Sequence, residues 1–551
     1  DEAPFGFHNP FQIFAPSGFQ IGGNWSEGRD SSDVSLWIGS ADITSQITPY
    51  SQLKTGVDIN YTDFNAAHEQ VDPTKPSVPN PDYYWHRQAA QGAAYIQNKL
   101  EFQGMIANVG FRLDYFKPQG DWYDHDTFAR GFASNDLESI EQEPIDGQFQ
   151  LSPRLGMSFP VTTNSKLYFN YGHFRNIQQM HQLFMVREVF GNSKIDYIGN
   201  PDLPMTKTIA YELGYDQNLY DQFLLRISGY YKAQRNQPRA VQFGSLDGRV
   251  SYQKLFPLNY GDIRGIEFSI RKNRGQWIRG FANYTYMVEK SGNFGYDNIY
   301  ENRQDMRDEI RLDREFIDKP IPEPYAKFHL ELLTPPEFGP QVGPGHLLGD
   351  WRLSFFGSWR AGDTFTWTGG TNVRVQNNLQ WKSSRMVDMR LSKNIETGLG
   401  RTQLFMDVSN VFNLRNMNTS SAFNKQFDYE HYLMSLHLPE DTFEGVEDPY
   451  LWPYGDDKPG DFRSRDVDFV PIETVRELPA EGFAREGHYG PLYYVKPEEN
   501  YYIWDGSSFQ EPESGQVDQV LEEKAYIDMP NSQYLTFLNP RQLQFGIRIT
   551  L

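Results

Sequence analysis

The 551 residues include no cysteine, which excludes disulfides, thiol nucleophiles and thiolate-held zinc and fits a protein of the bacterial envelope. No apolar run approaches the ~18 residues that a membrane helix requires, so any membrane crossing must be made of strands. The mean hydropathy of −0.64 agrees. Positive charge is in short supply: 51 Lys and Arg stand against 72 Asp and Glu, a net charge of −21. That balance argues against a nucleic-acid partner, which would call for a basic face. There is no G-x-S-x-G elbow, H-E-x-x-H pair or phosphate-binding loop, so the chain reads as a non-enzyme without a cofactor. No Gly/Ser- or Pro-rich linker separates globular units, and one large unit is the simpler reading. The opening residues Asp1 to Pro16 carry no secretory leader; they read as following a processed segment or further upstream chain.

Aromatics, by contrast, reach 15%, with 33 tyrosines and 40 phenylalanines, as expected where rings belt a barrel at two membrane interfaces. The final stretch, Asn539 to Leu551 (NPRQLQFGIRITL), shows the underlying pattern. Leu543, Phe545, Ile547, Ile549 and Leu551 alternate with Gln544, Gly546, Arg548 and Thr550, so one face of a strand is apolar and the other polar. Such a strand suits the wall of a transmembrane barrel, where lipid offers no hydrogen bonds and the sheet must close on itself. Taken alone, it equally suits the last strand of a soluble sandwich.

The same unit recurs along the chain: strand, short turn, strand, long polar loop. Ser35 to Thr48 pairs with Leu53 to Phe64, Ala90 to Leu100 with Met105 to Phe116, and Gln148 to Phe159 with Lys166 to Phe174. Thr206 to Gln217 folds against Asp221 to Ala233; a pivot at Leu219 sets Tyr211 opposite Ile227, Leu213 opposite Leu225 and Glu212 opposite Arg226. In Ile263 to Lys272, Ile266, Phe268 and Ile270 face outward while Glu267, Ser269 and Arg271 face in. Ala326 to Thr334, His346 to Trp359, Arg385 to Lys393 and Thr402 to Phe412 follow. About 16 strands are visible, with a weak first one near Phe19 to Trp25. The fold class is all-β: an antiparallel transmembrane β-barrel with short periplasmic turns and long extracellular loops. Strands and loops occupy residues 1–413, a large loop region 414–540, and the closing strand 541–551.

Five segments carry a family resemblance. They are LSPRLGMSFPVTTNSKLYFNYGHFRN (Leu151 to Asn176), GNPDLPMTKTIAYELGYDQNL (Gly199 to Leu219), YGDIRGIEFSIRK (Tyr260 to Lys272), MDVSNVFN (Met406 to Asn413) and the closing FLNPRQLQFGIRITL. In this order they resemble the C-terminal barrel half of TonB-dependent outer-membrane receptors, with the nearest likeness to the Oar-like members that carry a carboxypeptidase-regulatory-like domain. The resemblance implies a 22-stranded barrel filled by an N-terminal plug and coupled through a TonB box to an inner-membrane motor. Neither plug nor TonB box is in this sequence.

Candidate functional residues fall into two groups. Inward charges come first: Glu212 with Arg226, Arg390 diagonal to Asp407 if their strands fold about Glu396 to Leu399, Asp388 on the strand of Arg390, and Arg548 on the closing strand. They read as wall ion pairs that brace a lumen, and alternatively as contacts to a moving plug. The second group lies in the acidic, aromatic loop region, where Trp452, Tyr454, Tyr501 and Trp504 offer rings to a substrate or pack as a loop core. Asp456, Asp457 and Asp461 offer oxygens to calcium, yet their spacing does not match an EF-hand loop and a solvated charge run is the plainer meaning. Asn176 to Phe190 is expected to hold a short amphipathic helix around His181, and Arg303 to Phe316 an exposed charged helix.

The expected function is uptake across the bacterial outer membrane by a TonB-dependent receptor. Its expected partners are outer-membrane lipid, a TonB-type energy-coupling complex, the barrel assembly machinery and a surface lipoprotein or other protein. Two alternatives stay open: a surface interaction platform anchored by the barrel, and a passive porin of about 16 strands.

Overall fold

In the computed structural model the described residues are 27–71, 83–124, 126–128, 140–189, 194–313, 317–318, 320–343, 345–366, 375–376, 379–397, 400–414, 472–480, 492–513, 515–518, 520 and 541–550. Fifteen long strands run through them as one antiparallel meander. They are β1 (Asp33–Thr48), β2 (Ser51–Val71), β3 (Tyr83–Phe102), β4 (Met105–Pro118), β5 (Gln148–Thr162), β6 (Ser165–Asn176), β7 (Thr206–Leu219) and β8 (Phe223–Gly244). There follow β9 (Ser251–Lys272), β10 (Ile278–Asn293), β11 (Tyr325–Leu333), β12 (Trp351–Arg360), β13 (Ser384–Thr397), β14 (Gly400–Ser409) and β15 (Gln542–Thr550). Each strand from β2 to β14 pairs with the one before and the one after it, while β1 pairs with β2 and β15 with β14. The expected first strand near Phe19 to Trp25 lies outside the described residues.

Period-two alternation survives every register in this wall. Val109, Phe111 and Leu113 on β4 stand opposite Leu155, Pro153 and Leu151 on β5. Ile266 and Phe268 on β9 stand opposite Tyr286 and Tyr284 on β10, and Met406 and Leu404 on β14 stand opposite Phe545 and Ile547 on β15. One continuous face, the outer, is therefore apolar, and the other, inner, face is polar. The outer side chains are exposed: Leu213 is 53% and Ile547 68% accessible. A face of this kind needs a non-aqueous neighbour.

The register of β7 with β8 differs from the expected one. Tyr211 faces Tyr231, Leu213 faces Gly229, and Asp216, not Glu212, faces Arg226. The cause is the turn. Tyr220 and Asp221 both adopt left-handed backbone conformations, at φ of 54° and 53°, and Asn218 Nδ2 donates to Asp221 Oδ1 at 2.9 Å, so the chain reverses at Asp221 and not at Leu219. The displacement is even, which is why the two faces survive it. A two-residue shift of register, likewise even, brings Arg390 directly opposite Asp407. The expected strand from His346 begins only at Trp351, because Gln341–Val342 and Gly345–His346 form a small hairpin of their own.

At the end of the wall where the long loops lie, β8 and β9 extend well past their neighbours and support a dome. Its core gathers Phe116, Trp122, Leu183, Phe184, Ile195, Ile198, Val241 and Tyr252. The helix expected around His181 is a single short turn, α1 (Met180–Phe184), which inserts Leu183 and Phe184. The following Gly199–Asn200 is locked beneath it: Gly199 N–H donates to the Met185 carbonyl at 2.7 Å, and Asn200 Nδ2 donates to the Leu255 carbonyl at 2.8 Å. A Cβ at Gly199 would lie 2.4 Å from the Leu183 carbonyl oxygen, so only glycine allows this approach. The charged helix is α2 (Arg303–Asp313).

Tyr197 is 7% exposed in this core, and burial pushes its phenol up to about 12, against an opposing effect of the Arg187 guanidinium. The neutral phenol therefore stabilises the dome fully below pH 10, its ordinary value, and that contribution is lost as pH rises toward 12. Absorbance titration is expected to show late-ionising tyrosines, buried Tyr252 among them, and Tyr197→Phe to reduce their number by one. Ionisation of every tyrosine near pH 10 would contradict it.

Candidate functional site

The inner face forms a concavity of about 1040 Å³ lined from β2 to β9. Its charged lining is mixed: Lys54, Arg112, Arg154 and Lys232 against Glu212 and Glu267, with Tyr95, Asn108, Asn170 and Tyr230 between them. Every one of these residues occupies an inward position of the period-two pattern, so the site is a direct product of strand alternation.

Within this face several of the charges are met in local groups. Arg112 donates through Nε to Asp114 at 2.7 Å and through Nη1 to Asp58 at 3.1 Å, while Tyr95 hydrogen-bonds Asp42. Glu212 accepts from the Tyr168 hydroxyl at 3.2 Å and from Asn170 Nδ2 at 3.1 Å. Arg226 makes a bidentate pair with Asp216 at 2.8 and 2.9 Å, and Lys166 approaches the same carboxylate at 3.4 Å. Arg390 grips Asp407 in the same two-pronged manner at 2.5 and 2.6 Å and lies over the Phe405 ring. Asp388 accepts the backbone N–H of Asn410 at 2.8 Å and so holds the turn that leaves β14. Arg548 stands opposite Gln403 on β14, and it is Gln544 that faces Asp407.

Several members escaped sequence reasoning. Asp216 shares the inward parity of Glu212 and is four residues from it; only the position of the turn decides which carboxylate meets Arg226. The Asp58–Arg112 contact bridges strands that are not hairpin partners, a relation that local pairing does not reveal. His329 is a third case: its ring stacks on Phe356 at 4.1 Å, and its Nε2 is buried without a hydrogen-bond partner.

Of the loop residues, Tyr501 and Trp504 lie on Asn500–Trp504, one strand of a separate four-stranded sheet with Ile472–Val475, Leu492–Val495 and Phe509–Gln510. Tyr501 packs on Tyr494 at 4.8 Å and Trp504 on Phe509 at 4.8 Å. Asp505 closes the hairpin after Trp504, and the N–H groups of Ser508 and Ser507 that it accepts hold its carboxyl below the usual range. Trp452, Tyr454, Asp456, Asp457 and Asp461 lie outside the described residues. Among the described residues no three His, Asp or Glu side chains converge as metal ligands.

Residues 5–414 match the family model described as TonB dependent receptor-like, beta-barrel. A search of curated proteins finds no match. Among solved structures, the FrpB iron transporter from Neisseria meningitidis (F3-3 variant) is similar at 12% identity with a TM-score of 0.45, over 70% of this chain and 51% of its own. The ferric yersiniabactin uptake receptor FyuA from Yersinia pestis is similar at 12% identity and TM-score 0.45, over 73% and 53%. The copper transporter OprC is similar at 15% identity and TM-score 0.44, over 70% and 52%. The chain thus spans about half the length of these structures.

Proposed function

The chain belongs to the TonB-dependent receptor-like β-barrel family, and from that membership we propose that it works in the bacterial outer membrane as the wall of an energised uptake receptor. The observation that carries this reading is the two-faced wall: fifteen strands keep an apolar outer band and a polar inner face on which Arg112, Arg226 and Arg390 are held by aspartates. Lipid suits the first and a water-filled or plugged lumen the second. Among the described residues β1 and β15 each have one strand neighbour, and in lipid such edges must be covered; strands beyond these fifteen close the barrel. Residues 1–413 and 541–551 then form the wall with its loops, and 414–540 a region over the mouth, where Tyr501 and Trp504, with Trp452 and Tyr454, contact substrate.

In this reading the receptor is of the Oar-like kind, a plug sits against the inner face, and a TonB-type motor moves it. Partly exposed ion pairs of this sort contribute only about 0–1 kcal/mol each, so their service is to hold opposite charges in fixed places on the inner surface where it meets the plug.

Because the sequence has no cysteine, an introduced one is unique within it. Asn170→Cys, in the concavity, is expected to react several-fold faster with an impermeant maleimide in energised cells than after a protonophore. Fast labelling indifferent to energisation would favour the passive pore, and no labelling in either state would favour the platform.

A further inference from the structure

Near the long-loop end, the outer face of β6 to β10 changes character over two rows. Tyr171, Tyr211 and Tyr231 are direct cross-strand neighbours on β6, β7 and β8, with ring centroids 5.1 and 6.2 Å apart. Phe223, eight residues earlier on β8, lies at the short-turn end, so the apolar band between them measures roughly 27 Å along the strand at ~3.4 Å per residue. Tilt reduces that to the height of a lipid-facing band. Beyond the tyrosines, Arg175, Lys207 and Arg235 stand directly opposite one another in the same manner. Arg264 pairs with Tyr231 on β9, and Lys290 on β10 stands opposite Asp262.

Three like charges in one cross-strand row repel, and in a chain of net charge −21 carboxylates are not scarce. Yet Asp262 is the one acid among these rows, and it accepts from the Tyr231 hydroxyl at 3.0 Å and from Arg235 at 3.3 Å. Among the described residues, Arg175, Lys207, Arg264 and Lys290 have no carboxylate at ion-pair distance, whereas Arg112, Arg226 and Arg390 on the inner face are all held by aspartates. The Arg175 Nε is moreover buried without an acceptor. Directly below the cations lies an apolar groove of about 500 Å³, lined by Phe169, Leu213, Gly229, Ile266, Tyr286 and Val288. Gly229, lacking a side chain, leaves its floor open.

We propose that this surface binds a phosphate-bearing lipid of the outer leaflet, with phosphate oxygens spanning the Arg175–Lys207–Arg235 row and an acyl chain in the groove beneath Tyr211 and Tyr231. Guanidinium and ammonium groups at this level complement anionic headgroups, and the tyrosines mark the boundary between headgroup and hydrocarbon. The assignment rests on the reading that the outer face meets a bilayer.

The test uses the full chain in neutral detergent, titrated with a diphosphorylated, acylated glucosamine disaccharide, its dephosphorylated counterpart, or inorganic phosphate, with bound lipid counted by native mass spectrometry. The phosphorylated lipid is expected to bind at least about tenfold more tightly than the dephosphorylated one. Combined Arg175→Gln, Lys207→Gln, Arg264→Gln and Lys290→Gln should erase that difference, while Lys272→Gln at the short-turn end leaves it. Equal binding of the two lipids, or full competition by inorganic phosphate alone, would overturn the proposal. Should the lipid fail to bind while a charge at Ile266 still blocks membrane assembly, the lipid site falls and the membrane wall stands; tolerance of that charge would remove the wall itself.

Discussion

Ile266→Lys is expected to reduce folded protein in outer membranes several-fold, since a Lys on the lipid face of a barrel costs from about 0–1 kcal/mol at the interface to about 2–4 kcal/mol at the midplane, and Ile266 stands one outward position below the Tyr231 row. Ile266 is 47% exposed on the outer face, between Gly229 on β8 and Tyr286 on β10, and no acid lies opposite it. Its neighbour Glu267 points into the concavity. Glu267→Lys places a lysine one residue along the same strand, where water and other polar groups receive it, and is expected to cost less than about 1 kcal/mol. Heat-modifiable migration of the protein from membrane fractions reads both variants. Equal sensitivity at the two positions would refute the two-faced wall.

Phe184→Ala is expected to cost the dome about 3–5 kcal/mol, the usual range for emptying a large buried aromatic site. Phe184 is 1% exposed and meets Trp122 at 5.6 Å and Trp85 at 6.1 Å between ring centroids, with the Arg87 guanidinium over its face at 5.7 Å. Removing the ring leaves a cavity under α1 and takes away one of the two faces that flank Arg87, the other being Trp122. Because the dome is built from loop segments and strand extensions, the loss should be local. Amide exchange is expected to accelerate across 180–205 and 241–258 and to stay unchanged in β4, β5 and β14. Acceleration throughout the wall would instead make the dome part of the barrel's own stability.

Much of the architecture could be read from local pattern. The alternation in Met105 to Phe116 and in Leu543 to Leu551 assigns each side chain to a face whatever the partner strand, and the outer and inner rows of β4, β9 and β15 follow it. The contrast of short turns and long loops placed the hairpins. Register was harder, because a pivot at Leu219 and one at Asp221 satisfy the hydrophobic pattern equally well. Only the two left-handed residues of the turn distinguish them, and Tyr220 is not a residue type that announces such a conformation. Arg226 thereby meets Asp216 and not Glu212. The dome was beyond local reading for another reason: Phe116 with Trp122, Phe184 and Tyr252 come from three segments far apart in the chain, and each alone resembles an ordinary loop or strand residue.

The sequence by itself determined that this protein is an antiparallel wall with one apolar and one polar face, since facing depends only on parity along a strand. Tertiary structure decided which charges meet. The aspartate held by Arg226, the alignment of Arg390 with Asp407 and the row of Arg175, Lys207 and Arg235, in which only Arg235 meets an acid, all depend on cross-strand register, which the turns set and parity cannot distinguish.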